Sequence, residues 1–175
     1  MGIRHMKVIL YMTTTVNGII AKHDDSADFI TPTESASYVA TVKNAGALIV
    51  GHRTYEILST QPEFQEFLKA GVKIIAVSHN DFELRDASHS VAHSPQEALE
   101  LLEAFKEVIV AGGGKLDASF LDANLIDEIY LDIEPAIVSE GIPLFNGSKT
   151  DKTLKFLGSK MFSENEIQLH YEVIK

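Results

Sequence analysis

The chain of 175 residues contains no cysteine. That absence removes disulfides, thiol nucleophiles and thiolate metal sites together, and it fits a reducing cytoplasm. Basic residues are also scarce: 15 Lys and Arg stand against 25 Asp and Glu, a formal net charge of −10. A nucleic-acid partner needs a basic face to neutralise phosphates, so none is expected here. A small phosphorylated ligand needs only one Arg and a helix end. No apolar run is long enough to span a bilayer, and the hydrophobic stretch of a secretory signal is missing, so no membrane partner is expected. His23, His52, His79, His89, His93 and His170 are scattered without ligand spacing. No His-x-Glu precedes a Pro-Cys-x-x-Cys, so neither a metal site nor zinc-deaminase chemistry is expected.

What is present is ordinary for one globular domain, with 45% hydrophobic and 23% charged residues. Residues 1–6 read as an appended extension ahead of a native start at Met6, and 7–175 as a single domain with no repeat, low-complexity tract or linker. Strand-like runs at 7–12, 47–50, 73–78 and 108–111 alternate with helix-like segments opening at Thr31, Gly51, Pro62, Ser94 and Lys115. Thr31-Pro-Thr-Glu34 and Ser94-Pro-Gln-Glu97 carry the capping-box signature. Residues 13–30 read as a long polar loop, the kind that often serves as a lid. The run 128–134 alternates, placing Ile129, Leu131 and Ile133 on one side and Tyr130, Asp132 and Glu134 on the other. Two closing strands at 153–160 and 166–174 suggest an antiparallel hairpin. The expected class is α/β, a mostly parallel central sheet with helices on both faces and that C-terminal hairpin.

The segment VIVAGGGKL at 108–116 ends a β-branched strand in three glycines and opens a helix. Glycines let backbone N–H groups approach a ligand, and a helix start favours an anion. Neither common owner of such a loop fits. Ile109 stands where a Walker loop needs glycine and Leu116 where it needs Ser or Thr. The dinucleotide fingerprint starts at Gly112 and Gly114 but meets Asp117 at its third glycine. A second strand-glycine-helix element, LIVGHRTY at 48–55, offers Gly51, Thr54 and the forked cation of Arg53 to a phosphate. Both loops are expected at the carboxyl edge of one sheet.

With these segments in view, the chain resembles the dihydrofolate-reductase-like superfamily, and more closely the reductase domain of the bifunctional riboflavin-biosynthesis deaminase-reductase. The resemblance rests on TTVNGIIA at 14–21, DFI at 28–30, LIVGHRTYE at 48–56, IIAVS at 74–78, AGGGK at 111–115, LIDEI at 125–129, Pro135 and GIPLF at 141–145. It implies a dihydrofolate-reductase-like three-layer fold and a bound NADPH, less often NADH. By position, Ala111, Gly112, Gly113, Gly114, Lys115 and Leu116 would lie along the pyrophosphate. Gly51, His52, Arg53 and Thr54 would meet the adenosine-side phosphates, Arg53 a 2′-phosphate, and Ser78 the adenine ribose. Met12 and Thr13 would face the nicotinamide amide, with Ile19 and Ile20 flanking the ring. Relatives of this branch commonly carry Asp where this chain has Asn17, so an acid is missing there. The folate-gripping acid falls at Ser35, with Glu34 beside it, so folate reduction is not expected.

Hydride chemistry belongs to the cofactor, but a proton must still reach the substrate. Asp28 in the long loop, Glu34 at the helix start and Asp132 on a strand face are the carboxylates placed to help. Glu34 has a competing role in the capping box, and Asp132 a competing reading as a solvent-facing residue. Ile142, Leu144 and Phe145 are the expected homodimer contacts, since the resemblance implies a dimer. The expected activity is a cytoplasmic NAD(P)H-dependent reduction of a small pterin- or pyrimidine-like heterocycle. The alternative is a nucleotide-binding sensor or scaffold on the same fold without turnover.

Overall fold

The structure, a computed structural model, describes residues 6–175. The first five residues of the expected extension lie outside the described residues, while Met6, its last, is buried in the core. In chain order the elements are β1 (Lys7–Thr15), β2 (Ile19–Ala21), α1 (Pro32–Ala45), β3 (Ala47–Gly51), α2 (His52–Leu58) and α3 (Pro62–Lys69). They continue as β4 (Lys73–Val77), β5 (Ser90–Ala92), α4 (Pro95–Glu100), β6 (Glu107–Val110) and α5 (Gly114–Asp122). The chain closes with β7 (Glu128–Glu134), β8 (Ile142–Pro143), β9 (Leu154–Met161) and β10 (Ile167–Val173).

Eight strands form one sheet in the order β5-β4-β3-β6-β1-β7-β10-β9. All neighbours run parallel up to β7, and β10 is antiparallel to both β7 and β9. The central strands are apolar on both faces, as a doubly covered sheet requires: residues 47–50 and 108–110 are wholly buried. On one face Val39 and Val42 of α1, Tyr55 of α2 and Phe64 and Phe67 of α3 pack on the sheet. On the other, Ala98 and Leu99 of α4 and Leu116, Phe120 and Leu121 of α5 do so. The three layers expected from the sequence are present.

The long polar loop is shorter than expected. β1 runs on through Thr13, Thr14 and Thr15, which are polar in character yet buried. β-branched threonines suit a pleated strand, and here their hydroxyls line it instead of signalling solvent. The chain then turns at Asn17-Gly18, with Gly18 at φ 81°, and returns as β2 to pair with β8. The helix expected to open at Ser94 is short and ends after Glu100, and the sequence reading includes no strand at β5. Among the described residues no helix is long and apolar enough to cross a membrane.

Candidate functional site

The two glycine-ended strands, β3 and β6, are neighbours in the sheet with β6 beside β1, and their loops are tied together. Gly51 N–H donates to the Gly112 carbonyl at 2.7 Å, and the Ala111 N–H donates to Ile49 at 3.0 Å. Between the loops and β2 opens a cleft of about 740 Å³. It is lined by Met12, Ile20, Gly51, His52, Arg53, Thr54, Ser78 and every residue from Ala111 to Leu116. Thirteen of the fifteen expected nucleotide-binding residues therefore meet in one place.

The two exceptions have a common cause. Strand side chains alternate, so with Met12 in the cleft, Thr13 points to the opposite face. There its hydroxyl faces the Glu34 carboxyl and favours its charged form. Ile19 pairs with Pro143 across the small β2–β8 sheet, and its side chain packs where a Cβ on Gly141 would stand. Thr13 and Ile19 serve the walls of the cleft and are absent from its lining.

The three glycines do three different jobs. Gly112 has φ 89°, a left-handed value that favours glycine, and its peptide to Gly113 is cis. At Gly114 an added Cβ would stand 2.4 Å from the Pro143 carbonyl oxygen and 3.0 Å from Asn146 Cβ, so the residue is glycine because β8 crosses there. Only at Gly113 is the space free: a Cβ would meet nothing nearer than Thr54 Oγ1 at 3.5 Å. Gly113 is thus the glycine of the triplet whose backbone is left open. Asp117, which broke the dinucleotide fingerprint, turns back from α5 and accepts the Gly112 N–H at 3.1 Å. It is completely buried, and burial holds its carboxyl well above the usual range.

Arg53 is the forked cation foreseen at this edge, and it is engaged. Its Nε donates to Asp25 Oδ2 at 2.6 Å, and a terminal nitrogen reaches the same oxygen. Ser78 N–H donates to Ala92, and the Ser78 carbonyl meets His93 Nδ1 at 2.9 Å, which stiffens the far rim.

The expected proton donors separate. Asp28 is exposed and paired with Lys22 at 2.8 Å, away from the other two. Asp132 and Glu34, by contrast, are buried together beneath the start of α1. The solvent-facing reading of Asp132 fails, because the face carrying Tyr130, Asp132 and Glu134 is the one covered by α1. Tyr11 donates its hydroxyl proton to Asp132 Oδ2 at 2.6 Å, and Gln168 Nε2 donates to that hydroxyl at 3.2 Å. The capping box also resolves differently from expectation. Thr31 Oγ1 accepts the Glu34 N–H, but the Thr31 N–H goes to Glu134 Oε1 at 3.1 Å. Glu134 performs the reciprocal half of the cap and leaves the Glu34 side chain free to enter the core.

The result is a nest of four buried carboxyls, Glu34, Asp132, Glu134 and Glu166. Among the described residues no Lys or Arg pairs with any of them. Asp132 Oδ1, Glu134 Oε2 and Glu166 Oε2 have no hydrogen-bond partner among the described residues. Burial is the main reason the Glu34 carboxyl is pushed up to about 8; the Thr13 hydroxyl opposes the shift and the Asp132 charge adds to it. Burial likewise raises Asp132 and Glu134. Tyr11, Gln168, Glu134 and Glu166 are not singled out by the sequence, although Glu134 shares the alternation of Asp132, and Glu166 and Gln168 lie two apart at the start of the last strand-like run.

Asn17, which stands where relatives commonly have Asp, is a structural clamp. Its Oδ1 accepts from the Val138 N–H at 3.3 Å while its Nδ2 donates to the Val138 carbonyl at 2.7 Å. Asp could make only the first of these bonds. The residues expected at a dimer contact are used within the chain: Ile142 pairs with Ala21, and Leu144 and Phe145 pack against the core.

Comparison with known proteins agrees with this architecture. The chain is 25% identical over 173 residues to the uncharacterized protein YwjB of Bacillus subtilis, covering 94% of this chain and 97% of that protein. A putative riboflavin biosynthesis protein from Shewanella superposes with a TM-score of 0.79 at 19% identity, covering 97% of this chain and all of the other. A pyrimidine reductase-like protein from Corynebacterium diphtheriae gives a TM-score of 0.74 at 16% identity, covering 98% and 93%. The model of the RibD C-terminal domain matches residues 6–167. A sheet of this order, a glycine-walled cleft at its carboxyl edge and a family match over nearly the whole length lead to one assignment: the chain belongs to the RibD C-terminal domain family.

Proposed function

We propose that this protein is a cytoplasmic NAD(P)H-dependent reductase of a small pterin- or pyrimidine-like heterocycle, with NADPH as the first cofactor to test and NADH as the second. The observation that carries the reading is Gly113. It is the one glycine of the triplet whose open side faces the cleft rather than the protein, opposite Thr54. That is the fit a pyrophosphate requires, since a backbone N–H reaches it only where no side chain intervenes. A bound dinucleotide supplies the hydride. The names of the structural neighbours, a riboflavin biosynthesis protein and a pyrimidine reductase-like protein, support the substrate class.

The chain's own part is to bind, orient and hold a proton. Gly113 and Thr54 receive the pyrophosphate, Met12 and Ile20 wall the cleft beside it, and Ser78 lies at its far rim. Met12 and Thr13 are successive residues of one strand, so the carboxylate nest begins on the other side of the strand that floors the cleft. Near pH 7 Glu34 is largely protonated, and its proton gives Asp132 Oδ1 the donor it lacks. Glu34 is then the acid held ready for a reduced C=N or C=O bond, with Asp132, fixed by Tyr11, as its positioning residue. Asp28, on the surface, has no part in this scheme. For self-association, four of the exposed large apolar side chains, Leu154, Phe156, Leu157 and Met161, are grouped on β9.

Titration with NADPH and NADH, followed by nicotinamide fluorescence and then by cofactor oxidation across a panel of pterins and pyrimidines, tests the reading. Binding with turnover on a member of the panel is expected. No binding at millimolar cofactor would overturn it, and binding without oxidation would favour the sensor instead.

A further inference from the structure

One acidic side chain enters the mouth of the cleft from the loop between β2 and α1. Asp25 sits at φ 67°, in the left-handed region that Asp tolerates better than most residues. Its turn is closed by Asp25 N–H to the Lys22 carbonyl at 3.0 Å and Lys22 N–H to the Ser26 carbonyl at 2.9 Å. This places the carboxylate on Arg53, with both guanidinium contacts on one oxygen. Arg53 and Lys115 are the fixed cations of the cleft lining, and His23, His52, His79 and His93 stand around the same rim.

The two forms of the dinucleotide make different demands here. A free 2′-hydroxyl asks for no cation. A 2′-phosphate brings roughly two negative charges and suits a forked donor, which is what Arg53 offers and what Asp25 already occupies. Arg53 is 69% exposed in its side chain and Asp25 22%. An ion pair this open to solvent shifts an equilibrium by only a few-fold, so it biases the choice and does not forbid either cofactor.

We infer that Asp25 sets the dinucleotide preference of this cleft by holding Arg53 against a 2′-phosphate. The arrangement with the loop docked accepts NADH, whereas NADPH must take Arg53 from Asp25 and release the loop. This inference rests on the dinucleotide reading above and adds to it a residue that discriminates between the two cofactors.

The test compares dissociation constants for NADPH and NADH, by nicotinamide fluorescence at low ionic strength, in the wild type, in Asp25→Asn and in Asp25→Asn/Arg53→Ala. Asn keeps the left-handed turn and removes the charge. In Asp25→Asn the affinity ratio should move toward NADPH by about two- to fivefold, with NADH unchanged within error, and the double variant should return that gain. Added salt should shrink the shift. Binding of both cofactors with an unmoved ratio, or equal tightening of both, would overturn the role of Asp25 alone. If neither dinucleotide bound any of the three proteins, the reductase reading would fall and this one with it.

Discussion

On one face of β1, Met12 looks into an open cleft crossed by two glycine loops. On the other, Tyr11 and Thr13 look into a closed nest whose walls are carboxyls. The cleft is made by removing side chains: Gly51, Gly112, Gly113 and Gly114 let two loops and a strand approach one another. The nest is made by crowding them, with four acids from three separate segments of the chain buried under one helix end. A site built by removal keeps N–H groups available and its shape fixed before a ligand arrives. One built by crowding stores protons, because carboxyls without cations are stable in the core mainly when neutral. The two kinds of construction suit the two halves of a reduction, a cofactor to be held and a proton to be kept.

The comparison is broken most severely at the glycines. Gly114→Ala puts a Cβ into the Pro143 carbonyl, a backbone atom that cannot step aside. Overpacking of that kind costs about 1–3 kcal/mol, enough to lower the melting temperature by roughly 2–12 °C. Gly113→Ala meets only Thr54 Oγ1 at 3.5 Å, so its melting temperature should stay within about 2 °C while dinucleotide affinity falls by about tenfold or more. Differential scanning calorimetry beside a fluorescence titration separates the two. A Gly113→Ala protein that melts low yet binds normally would show that the cleft's walls have been assigned the wrong way round.

This contrast also explains what could be read from the sequence. The cleft was legible because its parts are local: each glycine loop ends a run of β-branched residues and opens a helix within ten residues. What remained hidden was the division of labour among Gly112, Gly113 and Gly114, since Gly114 answers to Pro143, which is remote along the chain. The nest was visible only as two isolated acids. Asp132 shares its layer with Tyr11 and Gln168, separated from them by 121 residues and by a hairpin, and nothing local announces such a register. Glu34, a proton-donor candidate, carries a competing reading as a cap because its own segment is a sound capping box. Glu134, from a strand a hundred residues on, displaced it. Local propensity was correct for the helix start and silent about which acid would complete it.

The nest makes the second prediction, on pH. Glu34 moves from an ordinary 4.5 to about 8 on folding, so between those values the folded protein binds more protons than the unfolded chain. The stability this group contributes is complete below about pH 4.5 and is lost as pH rises through about 8. Asp132 and Glu134, also raised by burial, act in the same sense. Urea midpoints should therefore decline from pH 5 to pH 8.5, and Glu34→Gln, uncharged throughout, should flatten part of that decline. The difference between the two proteins isolates the nest from His89, whose pKa is lowered by burial and which acts in the opposite sense below pH 6.5. A wild type that gains stability over this range, with Glu34→Gln tracking it in parallel, would mean that Glu34 is ionised in the fold.

The smallest effect is expected where the two regions are stitched together. Asn17 lies between β1 and β2, and its amide grips both polar atoms of Val138 in the loop that follows β7. That loop leads to Gly141, where an added Cβ would stand 2.4 Å from the Ala21 carbonyl oxygen, so the clamp joins the strand carrying Asp132 to the wall of the cleft. Asn17→Asp removes the donor to the Val138 carbonyl and sets a carboxylate against it. At an exposed site this should cost about 0.5–1.5 kcal/mol, a fall of about 1–6 °C in melting temperature. Dinucleotide affinity should stay within about twofold, because the glycine walls are untouched. If the clamp is the whole role of Asn17, Asn17→Asp should gain no turnover; a less stable but more active variant would show that position 17 takes part in the chemistry and that the seam belongs to the site.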